Sequence, residues 1–137
     1  MTFLKLYLVA FCLFLGLDFL WLGFIAKDIY RHELGFLLAK QFKMLPAVLF
    51  YLIYIAGLVF FCIHPAVEKR SCLIALATSA FFGLIAYATY DLTNLATLNN
   101  WPTKIVVIDL IWGVALTGAV GYLTTYLAEH FKGFFRS

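Results

Sequence analysis

Four apolar windows, each about as long as a bilayer's hydrocarbon core is thick, leave this chain few ways to fold. They run roughly over Leu6–Ala26, Met44–His64, Cys72–Tyr90 and Ile105–Ala128, and about 20 helical residues suffice to cross. Inside lipid every backbone polar group needs a partner within the protein, and these windows are too long for barrel strands, so each is expected to be a helix. Connections between them use up most of the remaining residues. The sequence therefore predicts an all-α fold, an integral membrane four-helix bundle forming a single transmembrane domain over residues 1–137. Composition agrees, since 65% of the residues are hydrophobic and only 12% charged, too apolar for a soluble domain. The first window is not expected to be a cleaved leader: Asp18 interrupts it, and Phe24 stands where a small residue would precede cleavage after Ala26.

An even number of spans puts both termini on one side of the membrane, here side A. Lys5, Lys69, Arg70, Lys132 and Arg136 fall on side A, and Lys27, Arg31, Lys40, Lys43 and Lys104 on side B. The count ties, so the positive-inside rule leaves the orientation open. A net charge of +3 suits a protein among anionic lipids but is too small and scattered to indicate nucleic acid. Between spans one and two, Tyr30, Leu34, Leu38 and Phe42 recur every four residues among charges. That stripe suits either an interfacial helix or a charged loop with buried anchors. Asp91–Lys104 reads as a polar connection, with turn chemistry at Asn99-Asn100, Trp101 suited to the headgroup belt and Pro102 opening the fourth helix.

Two carboxylates stand where charge is expensive. Asp18 lies within the first window and Asp109 within the fourth, each three residues before a tryptophan, Trp21 and Trp112, so acid and indole share a helix face. An intramembrane acid usually faces a bundle interior or a wet cavity and marks a function. Asp18 lies eight residues from Ala26, roughly 12 Å inside the B boundary, and Asp109 only about 6 Å inside. Asp91 closes the third window on the same side, beside Tyr90 and one turn after Tyr87, with Asn94 and Trp101 in reach. These residues point to one B-side pocket of acids and flat rings, a ligand pocket or proton site. Each also has a plainer reading: Asp91 as a capping residue, Asp109 as a first-turn acid favoured by the helix dipole, Asp18 as an interhelical hydrogen-bond partner.

Small residues indicate how the helices pack. Ala75, Ser79 and Gly83 recur every four residues in the third span, and Gly113, Thr117 and Gly121 do so in the fourth. Such stripes let helix backbones approach closely in lipid, against each other or against a partner subunit. Cys12, Cys62 and Cys72 are too few and too unevenly spaced for a cluster, and Cys62-x-His64 with Glu68 and His130 matches no established metal spacing. No metal or other cofactor is expected. There is no phosphate loop, dinucleotide fingerprint or nucleophile elbow.

Leu17-Asp18-Phe19-Leu20-Trp21-Leu22-Gly23, followed by Tyr30 and Gly35, resembles the first-helix signature of a family of small bacterial inner-membrane proteins. Tyr87-Ala88-Thr89-Tyr90-Asp91-Leu92-Thr93-Asn94-Leu95-Ala96-Thr97, continuing through Trp101-Pro102 to Asp109-x-x-Trp112-Gly113, resembles its second signature. The resemblance covers essentially the whole chain. It implies a four-helix, multi-pass protein of the bacterial inner membrane, of unknown function, and it brings no catalytic roles to carry over. The plan is also similar to that of small multidrug transporters in its four short helices, first-helix carboxylate and aromatic neighbours; the likeness is one of architecture, because the local motif differs.

Three functions fit this pattern. The first is binding or transport of a small polar or cationic molecule, with acids as charge partners or proton sites and aromatic rings as stacking faces. The second is a structural or accessory subunit whose motifs serve packing, as a homo-oligomer or with a membrane protein partner. The third is an intramembrane enzyme using an Asp pair, which the sequence favours less.

Overall fold

The computed structural model describes residues 2–36 and 43–135. Among them four helices are long and apolar enough to cross a membrane: α1 (Thr2–Ile25), α3 (Met44–Glu68), α4 (Cys72–Thr97) and α5 (Thr103–His130). A short α2 (Lys27–Leu34) lies between the first two, and α6 (Lys132–Phe135) follows the last. No strand occurs among the described residues. The protein is an all-α membrane protein, and Thr2 Oγ1 donates to the Phe135 carbonyl at 2.9 Å, which brings the two described ends of the chain together.

The hydrophobic core occupies the half of the bundle nearest those ends. Leu6, Ala10 and Phe14 of α1 meet Ile55, Leu58, Val59 and Ile63 of α3 and Leu116 and Val120 of α5. The tightest packing joins α4 to α5, because the small-residue stripes of these helices lie against each other. A Cβ on Gly83 would collide with the Gly113 carbonyl and the Thr117 side chain, and one on Gly121 would collide with Ser79. Each glycine thus permits an approach that any side chain would block.

Three boundaries differ from the sequence reading in ways that matter for the site. First, α4 continues to Thr97, so Asp91 and Asn94 are helical rather than in a connecting loop. The threonines there satisfy their hydroxyls within the helix: Thr89 donates to Ile85 O and Thr97 to Thr93 O, both at 2.7 Å, while Thr93 donates to Thr89 O. Polar composition therefore did not end the helix. The turn is confined to residues 98–102, where Asn100 takes a left-handed φ of 64° that asparagine tolerates better than most side chains.

Second, α1 ends in a π turn over Trp21–Ile25, closed by Ala26 N–H to Trp21 O at 2.7 Å. This wide turn immediately follows the Asp18 region and leads into α2. Third, α2 is amphipathic, with Ile29, Tyr30 and Leu34 packed inwards and Arg31 and His32 exposed. It docks on Trp101, Ile105 and Val106, so Trp101 is buried rather than standing in a headgroup belt. Leu38 and Phe42, the rest of the four-residue stripe, lie outside the described residues.

Candidate functional site

Away from the core, in the half of the bundle capped by α2, the five helices α1 to α5 enclose a cavity of about 510 Å³. One helical turn from the lining residues Asp18, Phe50 and Ala86, towards the core, stand Phe14, Tyr54 and Phe82. Tyr54 is stacked between Phe50 and Phe82, with both centroid distances 5.2 Å, and meets Phe14 edge-on. Its hydroxyl shares a 2.9 Å hydrogen bond with Thr117 Oγ1, so this buried phenol is satisfied and not available to a ligand.

Asp18 and Asp109 both line the cavity, and both are buried. Asp18 Oδ2 accepts from the Tyr51 hydroxyl at 2.6 Å, and Oδ1 accepts from Trp112 Nε1 at 3.1 Å. The Trp112 indole stacks on Trp21 at a centroid distance of 4.6 Å and 12° between planes. Trp21 Nε1 in turn donates to the Tyr30 hydroxyl at 3.4 Å, and that hydroxyl donates to Asp109 Oδ1. The two acids thus belong to one continuous polar and aromatic path, Tyr51–Asp18–Trp112–Trp21–Tyr30–Asp109, drawn from α1, α2, α3 and α5. Burial, then the hydrogen bond to Asp109, holds the Tyr30 hydroxyl well above the ordinary phenol range, so at neutral pH it stays a neutral donor.

Tyr87 reaches the cavity because Gly113 has no side chain. A Cβ there would meet the Tyr87 ring and come within 2.9 Å of its Cβ, so the ring lies flat on the α5 backbone. Its hydroxyl sits in the field of Asp18 and Asp109. Tyr90 lines the outer edge of the cavity and meets Trp101 edge-on at 5.7 Å.

Asp91 is placed differently. It is fully buried behind the cavity wall, and neither carboxyl oxygen has a hydrogen-bond partner. Asp109 and Trp101 are its electrostatic neighbours, and the Trp101 Nε1 is itself buried without a partner. Asn94 is half-buried and away from the cavity lining.

The structure therefore brings Asp18, Asp109, Tyr87, Tyr90 and Trp112 to one cavity, joins Trp21 to it by stacking, sets Asp91 behind it, and leaves Asn94 and Trp101 at its margin. Sequence reasoning did not place Tyr51, Tyr30, Phe50 and Leu34 at the site. Tyr51 carried a weak signal as a hydroxyl within an apolar span, and Tyr30 as part of the amphipathic stripe. None of the three carboxylates has an ion-pair partner among the described residues; Lys104, at the start of α5, pairs instead with Glu33 of α2 at 3.8 Å. No group of three potential metal ligands occurs among those residues.

A family match extends over residues 3–126. The chain belongs to the family described as "Predicted membrane protein (DUF2177)". The matched stretch contains every residue that lines the cavity, together with Asp91 and Trp21. The DUF2177 description places the chain in a lipid bilayer and assigns it no activity. Neither the curated proteins nor the solved structures give a match.

Proposed function

We propose that this protein binds, and carries across the bacterial inner membrane, a small polar or cationic molecule held between Asp18 and Asp109. The observation that supports this reading is the cavity itself. A space of about 510 Å³ falls within the range of small-molecule sites, which are mostly apolar with a few convergent polar groups. Here the polar groups are acids and phenols, and the walls are rings suited to cation–π contact. Carboxylates without an ion-pair partner inside a membrane protein favour a positively charged occupant. The accessory-subunit reading draws less support, because the small-residue stripes are already used within the chain, between α4 and α5.

The experiment is a thermal-shift series on the purified protein with tetramethylammonium, tetraethylammonium and anions of matched size. Cations should raise the melting temperature as ligand linkage requires, anions should not, and Asp109→Asn should abolish the effect. A cation response that survives replacement of both Asp18 and Asp109 by Asn would refute the proposal, as would no response at all.

A further inference from the structure

The cavity is closed towards the membrane surface and open towards the side. At the surface end α2 lies across it. Leu34 is only 8% exposed, packed with Trp101, Ile105 and Val106, and Tyr30 is tied to both Asp109 and Trp21. On the flank the walls are different. The Met44–Leu58 stretch of α3 packs on α1, whereas the backbone of α3 comes close to α4 through the following Val59–Ile63 and His64–Glu68 segments, with Tyr54 and Gly57 reaching only the Phe82 ring. Above the Tyr54–Phe82 stack, the cavity separates the two helices. Its rim residues Leu22, Phe50 and Tyr90 are 45%, 48% and 55% exposed, yet all three lie within spans long enough to cross a membrane. Phe50 stands roughly 9 Å along α3 from its start at Met44, so its exposed face meets hydrocarbon and the mouth on that flank opens into the bilayer.

From this geometry, and resting on the reading of the cavity as a cation site, we infer that the occupant is an amphiphile taken from the bilayer: an ammonium head on a hydrocarbon tail. The head fits between Asp18 and Asp109, which have no cation partner among the described residues. The tail leaves between Phe50 and Tyr90 and stays in lipid. A water-borne cation would have to pass the α2 cap, while an amphiphile enters with its tail never leaving an apolar medium. Leu22, Leu34, Phe50 and Ala86 give the wall next to the acids the apolar character that the first methylenes of such a tail require.

The test uses the full chain in maltoside micelles with three probes: tetramethylammonium, dodecyltrimethylammonium and dodecyl sulfate. Binding is read by native mass spectrometry and by thermal shift. Dodecyltrimethylammonium should bind one to one and at a total concentration at least about tenfold lower than tetramethylammonium, since partitioning gathers it in the micelle beside the cavity mouth. Dodecyl sulfate should not bind at that site. Ala86→Trp, which fills the cavity, should remove the dodecyltrimethylammonium adduct, and this arm stands even if Asp109→Asn fails to fold. Equal affinity for both cations would overturn the lateral-entry inference while leaving a cation site in place. Equal binding of dodecyl sulfate would reduce the effect to non-specific partitioning and overturn it as well. Failure of both cations to bind would remove the cation site together with this inference.

Discussion

The hydrogen bonds at Asp18 make a measurable claim about how α1, α3 and α5 are held together. Its two oxygens each face a donor, Tyr51 at 2.6 Å and Trp112 at 3.1 Å. An indole N–H can only donate, whereas a phenol can also accept, so asparagine can still bond both by turning its NH₂ towards Tyr51, and Asp18→Ala is the change that removes both bonds. In water-soluble proteins a hydrogen bond to a charged group contributes about 1.5–3 kcal/mol. Between membrane helices the measured average is about 0.6 kcal/mol and the maximum about 1.7, because the unfolded helices also find partners in the membrane. The membrane scale governs here. A double-mutant cycle of Asp18→Ala with Tyr51→Phe should therefore give a coupling of about 1 kcal/mol, and the cycle with Trp112→Phe about 0.5, the longer contact being the weaker. The single change Asp18→Ala should cost roughly 1–2 kcal/mol as the two contacts are lost together. The assay is reversible unfolding in mixed micelles, followed by far-ultraviolet circular dichroism so that loss of a tryptophan does not affect the signal. Couplings within about 0.3 kcal/mol of zero for both pairs would show that these bonds do not hold Asp18 in the folded protein.

The α4–α5 contact predicts a steeper response: Gly83→Leu should cost about 3 kcal/mol or more, since the new side chain meets the Gly113 backbone and Thr117. Gly113→Ala should cost less, about 1–3 kcal/mol, but should displace Tyr87, so any cation response of the protein should fall even where the fold survives. An ultraviolet difference titration of wild type against Tyr30→Phe should show no Tyr30 ionisation near pH 10. Because the folded hydroxyl holds its proton more tightly than an unfolded one, its contribution to stability is intact below about pH 10 and is lost as pH rises above it; a Tyr30 step at the ordinary phenol value would contradict the burial of this residue against Asp109. Single cysteines at positions 2 and 135 should be labelled from the same side of the membrane, as the Thr2–Phe135 contact requires, and labelling from opposite sides would sink the topology.

What the sequence determined by itself follows from short-range rules. Window length against bilayer thickness specifies four helices, because only helices and closed barrels satisfy a backbone in lipid and these windows are too long for barrel strands. A four-residue spacing specifies which small residues share a helix face, and the cost of buried charge singles out Asp18 and Asp109 before any neighbour is known. Where the local rule was compositional, it failed: the threonine- and asparagine-rich end of α4 resembles a loop, but its threonines bond back into the helix. Tertiary structure alone decided the partners. Tyr51 is 33 residues from Asp18, Trp112 is 94 away, and Tyr30 is 79 from Asp109; these pairings depend on the rotation and tilt of whole helices, which periodicity does not encode. The folding of α2 over one end of the bundle and the divergence of α3 from α4 are likewise products of packing. An amphipathic stripe states only that a helix has an apolar face, and the packed shape of the remaining helices determines where that face is buried.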